Sequence, residues 1–240
     1  MTLAMKYKLA VTMNNIGASL VDQSIDNNNS SQYAVATGLF RHALQTLRLP
    51  DNAQNTEESY LPRQLLALSS LLAQSNMVRN NFSTIGDATL SHQPTYSSSS
   101  SFFLVHHAVK LTVTTDHTDS CHANLAIAAI LFNLALLHQL TEPYAPDVPD
   151  LYHTCAATLR DIDDSNETFL LAVACLNNVG VWCHATGDAL GAQSTMEQLS
   201  GLMATEDEYG LEEPVLRGVQ SNIICTLEGM ADAPCLAGAA

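Results

Sequence analysis

The sequence predicts an all-α protein, an array of antiparallel helix pairs, and three observations support this prediction. One pattern, an apolar residue and an Asn followed by an apolar residue and then Gly or Ala, occurs at 13–17, 131–135 and 176–180. Each copy precedes a second helical stretch with small residues at fixed offsets, as in proteins that repeat a helix pair. Finally, 47% of the residues are hydrophobic but only 6% are aromatic. Small and aliphatic side chains therefore fill the core, which suits close helix packing.

Three helices are predicted in the first third of the chain. Residues 3–22 have apolar side chains at helical spacing, and the polar run 22–32 ends this helix. The second helix covers 33–47 and ends before Pro50, which a helix interior does not tolerate. The Leu-rich stretch 61–77 predicts a third helix.

The middle of the chain has a different composition. Residues 91–101 form a Ser-rich, low-complexity loop. Residues 102–113 then alternate and contain β-branched and aromatic residues, so we expect one or two short strands or an extended packed segment. An irregular insertion near 80–120, with short strands or an extended packed segment, therefore interrupts the predicted array.

Helices resume in the second half. We expect them at 121–140, 151–159, from a cap at Asp164 or Ser165 to 186, at 189–203 and at 213–227. Together the elements predict a single helical domain over 1–230, followed by a frayed tail at 231–240. Its repeat-like units are about 10–50, 121–160 and 173–206, with 213–227 as the final helix.

The charge of the chain limits its partners. Nine basic residues against 24 acidic ones give a formal charge of −15, which repels nucleic acid and anionic membrane surfaces. Acidic residues are concentrated in 161–240, where they either lie on solvated loops and helix starts or attract a basic partner. We expect a protein or peptide partner that is neutral or basic.

The cysteines indicate the compartment. Six cysteines occur without a CxxC pair, and most lie in apolar helical runs, as buried reduced thiols do. We therefore expect an intracellular, cytoplasmic protein. The apolar stretches 125–137 and 169–183 are short and rich in Asn, so we expect neither to span a membrane.

The stretch 176–199 resembles the tetratricopeptide repeat (TPR) family, whose helix pairs repeat about every 34 residues. With Gly180 at the small helix A position of that pattern, Leu176, Val179 and Cys183 take its apolar positions. Gly187-Asp188 falls on the turn. The helix B positions are then taken by Ala192, Met196 and Leu199.

Two further copies are incomplete. The copy around Gly17 needs an insertion of seven residues at 25–31, and the copy at 131–135 matches helix A alone. The resemblance covers about half of the chain and does not include 50–120. It implies a right-handed superhelix whose concave face is lined by the helix A set.

The resemblance also implies a binding surface, because the repeated Asn residues take helix A positions that face the concave side. An Asn amide offers both a donor and an acceptor, so it can pair with either group of a peptide backbone. Alternatively, these side chains satisfy helix ends or lie in solvent. No Lys or Arg flanks them, which disfavours a carboxylate clamp, whereas the Asn-Asn pair is similar to that of peptide-cargo receptors such as kinesin light chains. The predicted peptide-binding residues are Asn14, Asn15, Asn133, Asn177, Asn178 and His184.

The predicted function is thus a non-enzymatic protein–protein interaction scaffold without a cofactor or metal. The sequence contains no Gly-rich phosphate loop, no GxSxG and no HExxH motif. The alternative is a metal- or small-molecule-responsive protein that uses the histidines near Asp116, Asp119 and Cys121, although no zinc spacing occurs there. Those histidines are His106, His107, His117 and His122.

Overall fold

The computed structural model describes residues 2–27, 30–48, 102–111, 120–160, 162, 165–204 and 213–231. These residues contain seven α-helices, a short 3₁₀ helix at Ser30–Gln32 and no β-strand, so the all-α prediction is confirmed. The helices are α1 (Leu3–Asp26), α2 (Tyr33–Arg48), α3 (Ser120–Thr141), α4 (Val148–Leu159), α5 (Asn166–Thr186), α6 (Ala189–Met203) and α7 (Glu213–Ala231).

The helices pack in chain order. Each described helix contacts the next one, from α1 on α2 to α6 on α7. The odd-numbered helices also contact one another in sequence, α1 with α3, α3 with α5 and α5 with α7. These four helices therefore form one layer, and a residue at the same place on each can line a common surface.

Local signals explain the boundaries of α5 and α6. Ser165 and Thr168 form a capping box at the start of α5, in which each side chain bonds the backbone N–H of the other. At its end Gly187 adopts a left-handed conformation with φ of 79°. Asp188 then caps α6 by accepting the N–H of Gly191. A tight turn thus joins the best-matching predicted helix pair.

The predicted small residues lie where helices cross closely. Gly17 of α1 lies under the ring of Phe40 in α2, and a Cβ added there would be 2.7 Å from a ring carbon. Gly180 of α5 similarly faces the terminal methyl of Met196 in α6. Ala135 in α3 is fully buried. A larger side chain at Gly17 would push α1 and α2 apart, whereas at Gly180 the flexible end of Met196 must shift first.

Replacing Gly17 with Val should therefore destabilise the protein by about 1–3 kcal/mol, because the rigid Phe40 ring must move. The matched control is Gly38→Val in α2, where an added Cβ meets no atom within 4 Å. That control should change stability by less than about 1 kcal/mol. Urea denaturation measures both. Equal stabilities for the two variants would show that the α1–α2 crossing tolerates bulk.

Some predicted boundaries were wrong. The first helix does not stop at residue 22, because Val21 is buried and Ile25 packs on the core, which extends α1 by a turn. Helix α4 begins at Val148 rather than 151, with Pro149 near its first position. The predicted helix 61–77, the loop 91–101 and most of the tail lie outside the described residues.

The apolar stretches at 125–137 and 169–183, which were predicted to be too short to cross a membrane, lie within longer apolar helices. Within the described residues, 122–141 and 166–186 are each long and apolar enough to do so. Most of each stretch is buried inside the protein. The core helices of soluble proteins have the same composition, so this is weak support for a membrane span.

Residues 102–111, which we call the resident segment, are extended but form no strand. Of the two alternatives predicted for 102–113, the described residues form the extended packed segment rather than strands, because their backbone N–H groups donate to side chains rather than to another strand. Its apolar side chains nevertheless belong to the core. Those buried are Val105, Ala108, Val109 and Leu111.

Candidate peptide-binding groove

The odd-numbered helices surround the resident segment with asparagines, and we call this surface the Asn groove. Five of these asparagines are at most 1% exposed, and Asn15 is half-buried. A buried amide without partners is costly, so each must form hydrogen bonds. The groove asparagines are Asn14 and Asn15 in α1, Asn133 in α3, Asn177 and Asn178 in α5, and Asn222 in α7.

Two of these amides hold the first half of the segment. The Asn222 Oδ1 accepts the N–H of Phe103 at 2.8 Å, while its Nδ2 donates to the Phe103 carbonyl at 2.6 Å. Asn178 treats Val105 in the same way, with both bonds at 3.0 Å. Each amide therefore pairs with both backbone groups of one residue.

The second half of the segment is held identically. Asn133 accepts the N–H of Val109 at 2.6 Å and donates to its carbonyl at 2.8 Å. Asn15 pairs with both groups of Leu111, each at 2.8 Å. Because these bonds go to the main chain, they recognise an extended backbone whatever its side chains.

The remaining amides fix this arrangement. Asn14 donates to the Val109 carbonyl at 3.0 Å and accepts from Asn133 at 2.9 Å. Asn177 donates to the Phe103 carbonyl at 3.0 Å and accepts from Asn222 at 2.8 Å. The amides of neighbouring helices are thus linked to each other as well as to the segment, so the groove is a connected network.

A tyrosine supports the amide of Asn178 from behind. The Asn178 Nδ2 also donates to the hydroxyl of Tyr152 at 3.0 Å, and that hydroxyl donates to Gln139 Oε1 at 2.8 Å. Tyr152 is fully buried, and burial holds its pKa well above the ordinary value. The hydroxyl therefore stays protonated and can keep both bonds, which orients the amide.

Asp22 of α1 is the acidic contact of the groove. Its carboxylate accepts the N–H of Ala108 at 3.2 Å and lies 2.7 Å from the Lys110 ammonium and 3.7 Å from His107 Nδ1. Burial alone would raise the pKa of Asp22, but the nearby His107 and Lys110 and the Ala108 N–H hold it below its ordinary value. The carboxylate is therefore ionised at neutral pH.

Two histidines lie side by side in the segment. The rings of His106 and His107 are 4.4 Å apart. Burial lowers the pKa of His106 below its ordinary value of 6.5, and His107 lowers it further against weaker opposing effects from the Leu104 carbonyl, Asp22 and Asp26. The docked segment therefore favours a neutral His106.

Acidification should consequently weaken docking of the resident segment. The contribution of His106 is complete above its ordinary pKa of 6.5 and is lost as pH falls from there through the lowered folded value. The melting temperature of the wild-type chain should thus fall more between pH 7.5 and 5.5 than that of His106→Gln. Identical pH dependence of the two proteins would contradict this.

The structure brings the predicted asparagines together on one surface. Asn14, Asn15, Asn133, Asn177 and Asn178 all contact the resident segment, and His184 stacks on Phe102 with ring centroids 4.1 Å apart. They contact the chain's own backbone, and their binding of a separate partner stays a prediction.

Sequence reasoning missed two groove residues. Asn222 lacks the apolar residue two positions before it and the small residue two positions after it that mark the other copies. It could have been found by its spacing, because Asn133, Asn178 and Asn222 follow at intervals of 45 and 44 residues. Asp22 was interpreted as the start of a polar break and as one of the flanking residues that are not cations, but not as a contact of the groove.

The predicted histidine cluster is only partly described. His106 and His107 stack in the segment, whereas His122 of α3 packs edge-on to Tyr7 at 6.4 Å. His117 lies outside the described residues. Within the described ranges, no group of three His, Cys, Asp or Glu side chains could hold a metal ion.

Comparison with known proteins gives no family for this chain. No protein-family model, curated protein or solved structure matches it. Its function must therefore be inferred from the groove.

Proposed function

We propose that this protein is a non-enzymatic interaction scaffold that binds an extended segment of a partner protein in the Asn groove. The observation that carries the proposal is that four asparagines on four helices each pair with both backbone groups of one residue. Such a surface suits a peptide of varied sequence, because the bonds do not depend on side chains.

The fold that we propose is TPR-like, with a right-handed superhelix and a concave face formed by the odd-numbered helices. Small residues at the α1–α2 and α5–α6 crossings support this. The interval of 44 to 45 residues between groove asparagines is longer than the family's repeat of about 34. The likeness therefore lies in the helix pair, and the connections are longer.

The partner that we propose is neutral or basic. The chain has a formal charge of −15, and the carboxylate of Asp22 lies in the groove. A basic segment is attracted by this field, whereas nucleic acid and anionic membranes are repelled. In this structure the groove holds the resident segment, so a partner must displace it. The apparent affinity of the partner is therefore its intrinsic affinity multiplied by the fraction of molecules in which the groove is open.

We also propose that the protein acts in a reducing, intracellular compartment. Cys155, Cys175 and Cys183 are buried and free. Burial is the main cause that raises the pKa of Cys183 to about 11, and the nearby Asp188 carboxylate adds to it. This thiol is therefore not a nucleophile at neutral pH. This supports a structural thiol rather than a catalytic one.

Affinity capture from the native cell tests the proposed function. Partners recovered with the wild-type chain should be lost with Asn133→Leu plus Asn178→Leu and enriched with Val105→Pro plus Val109→Pro, which weakens docking of the resident segment. Peptide arrays of each recovered partner should then locate one extended stretch that binds directly. Circular dichroism confirms that the variants remain helical, and the same partner set with all three proteins would refute the proposal.

A further inference from the structure

One end of the groove has room for an aromatic ring. Gly218 of α7 lies against Phe103, and a Cβ added at this glycine would overlap the ring carbons. Asn222, one helical turn further along α7, holds the backbone of the same Phe103. One helix therefore fixes both the main chain and the ring of this residue, and only glycine leaves the ring its space.

The other end binds a cation. The Lys110 ammonium lies 2.7 Å from the Asp22 carboxylate, and the two side chains are 25% and 21% exposed. Partial shielding from water strengthens this attraction relative to a surface pair. Asn15 lies about two turns before Asp22 in α1 and holds the backbone of Leu111. The first helix thus fixes both the main chain and the charge at this end.

The asparagines in between fix the distance between the two ends. Asn178 holds Val105 and Asn133 holds Val109, so a bound chain cannot slip without breaking their paired bonds. An aromatic residue and a cation therefore match the two ends only when seven positions separate them, as Phe103 and Lys110 are separated. The resident segment is a template for what the groove accepts.

We propose that the groove selects partner segments with an aromatic residue followed seven positions later by Lys or Arg, and that Gly218 and Asp22 determine this specificity. The inference rests on the proposed function. The chain has 24 acidic residues against nine Lys and Arg, and this excess attracts a cationic partner. One of the nine, Lys110, already occupies the cation position of the groove. An acidic residue in the place of Lys110 would be repelled by Asp22.

The test uses the full chain with Val105→Pro plus Val109→Pro, which removes two backbone donors of the resident segment. We call this variant the opened chain. The probe is a fluorescein-labelled synthetic peptide with the sequence of residues 102–111, measured by fluorescence anisotropy. We expect this peptide to bind, and the Lys110→Glu and Phe103→Ala peptides to bind at least about tenfold more weakly.

Protein variants should then exchange the preferences. Adding Asp22→Asn to the opened chain should reduce the discrimination between the unmodified peptide and the Lys110→Glu peptide to about threefold or less, and leave the preference for Phe103 intact. Adding Gly218→Val should weaken the unmodified peptide by at least about tenfold but not the Phe103→Ala peptide. Gly38→Val is the control, because its site has no atom within 4 Å of an added Cβ.

The outcomes separate the two proposals. If the opened chain binds all three peptides equally, or if Asp22→Asn and Gly218→Val leave the preferences unchanged, the specificity inference is overturned while peptide binding stands. If no peptide binds, the proposed function fails as well. Should the opened chain lose its helicity, the single change Val109→Pro replaces it, since this change removes only the N–H that donates to Asn133.

Discussion

Replacing both Asn133 and Asn178 with Leu is expected to lower the free energy of unfolding by about 4 kcal/mol. The two substitutions remove the partners of the Val105 and Val109 N–H groups, which are buried in the docked segment. Each unpaired buried group costs about 1–3 kcal/mol. The loss of stability cannot exceed the cost of releasing the segment, because a released segment exposes these N–H groups to water. Urea denaturation and the melting temperature measure the change.

The matched control replaces two exposed amides by the same residue, Gln45→Leu plus Gln198→Leu. Both lie on the helix surface, so together they should change stability by no more than about 1 kcal/mol. A loss for the asparagine pair as small as that of the control would mean that the groove amides contribute little to holding the segment.

A single proline at residue 109 should release the resident segment. Val109→Pro removes the N–H that donates to Asn133 at 2.6 Å and leaves the buried Oδ1 without that donor, which costs about 2–3 kcal/mol. We expect faster cleavage of residues 102–111 by a nonspecific protease and a lower melting temperature.

Leu104→Pro is the control for this experiment. The N–H of Leu104 has no described hydrogen bond, and its side chain is half-buried, so the extended backbone should accept proline at lower cost. Equal protease sensitivity of the two proline variants would contradict the alternating pattern of amide bonds.

The helices were predictable because their signals are local. The end of α5 and the start of α6 follow from Gly187 and Asp188, which end one helix and cap the next. Five of the six groove asparagines were predictable as a surface, because each interrupts an apolar helix face in the same register. Both kinds of signal lie within a few residues of the feature that they determine.

The occupant of the groove could not be predicted in this way. Phe103 and Asn222 are 119 residues apart, and no local pattern links a backbone group to a distant side chain. The alternation of 102–113 was interpreted as short strands or an extended packed segment, because an extended chain has the same period of two whether strands or asparagines satisfy its backbone. A strand and a bound peptide therefore look alike in the sequence.

Amide hydrogen exchange within the resident segment, followed by NMR, tests most directly whether side-chain amides hold this backbone. The N–H groups of Phe103, Val105, Val109 and Leu111 donate to asparagines, and Ala108 donates to Asp22. We predict slow exchange at these five residues and fast exchange at Leu104, His106 and Lys110. Uniformly fast exchange from 103 to 111, or protection without this pattern, would contradict the account.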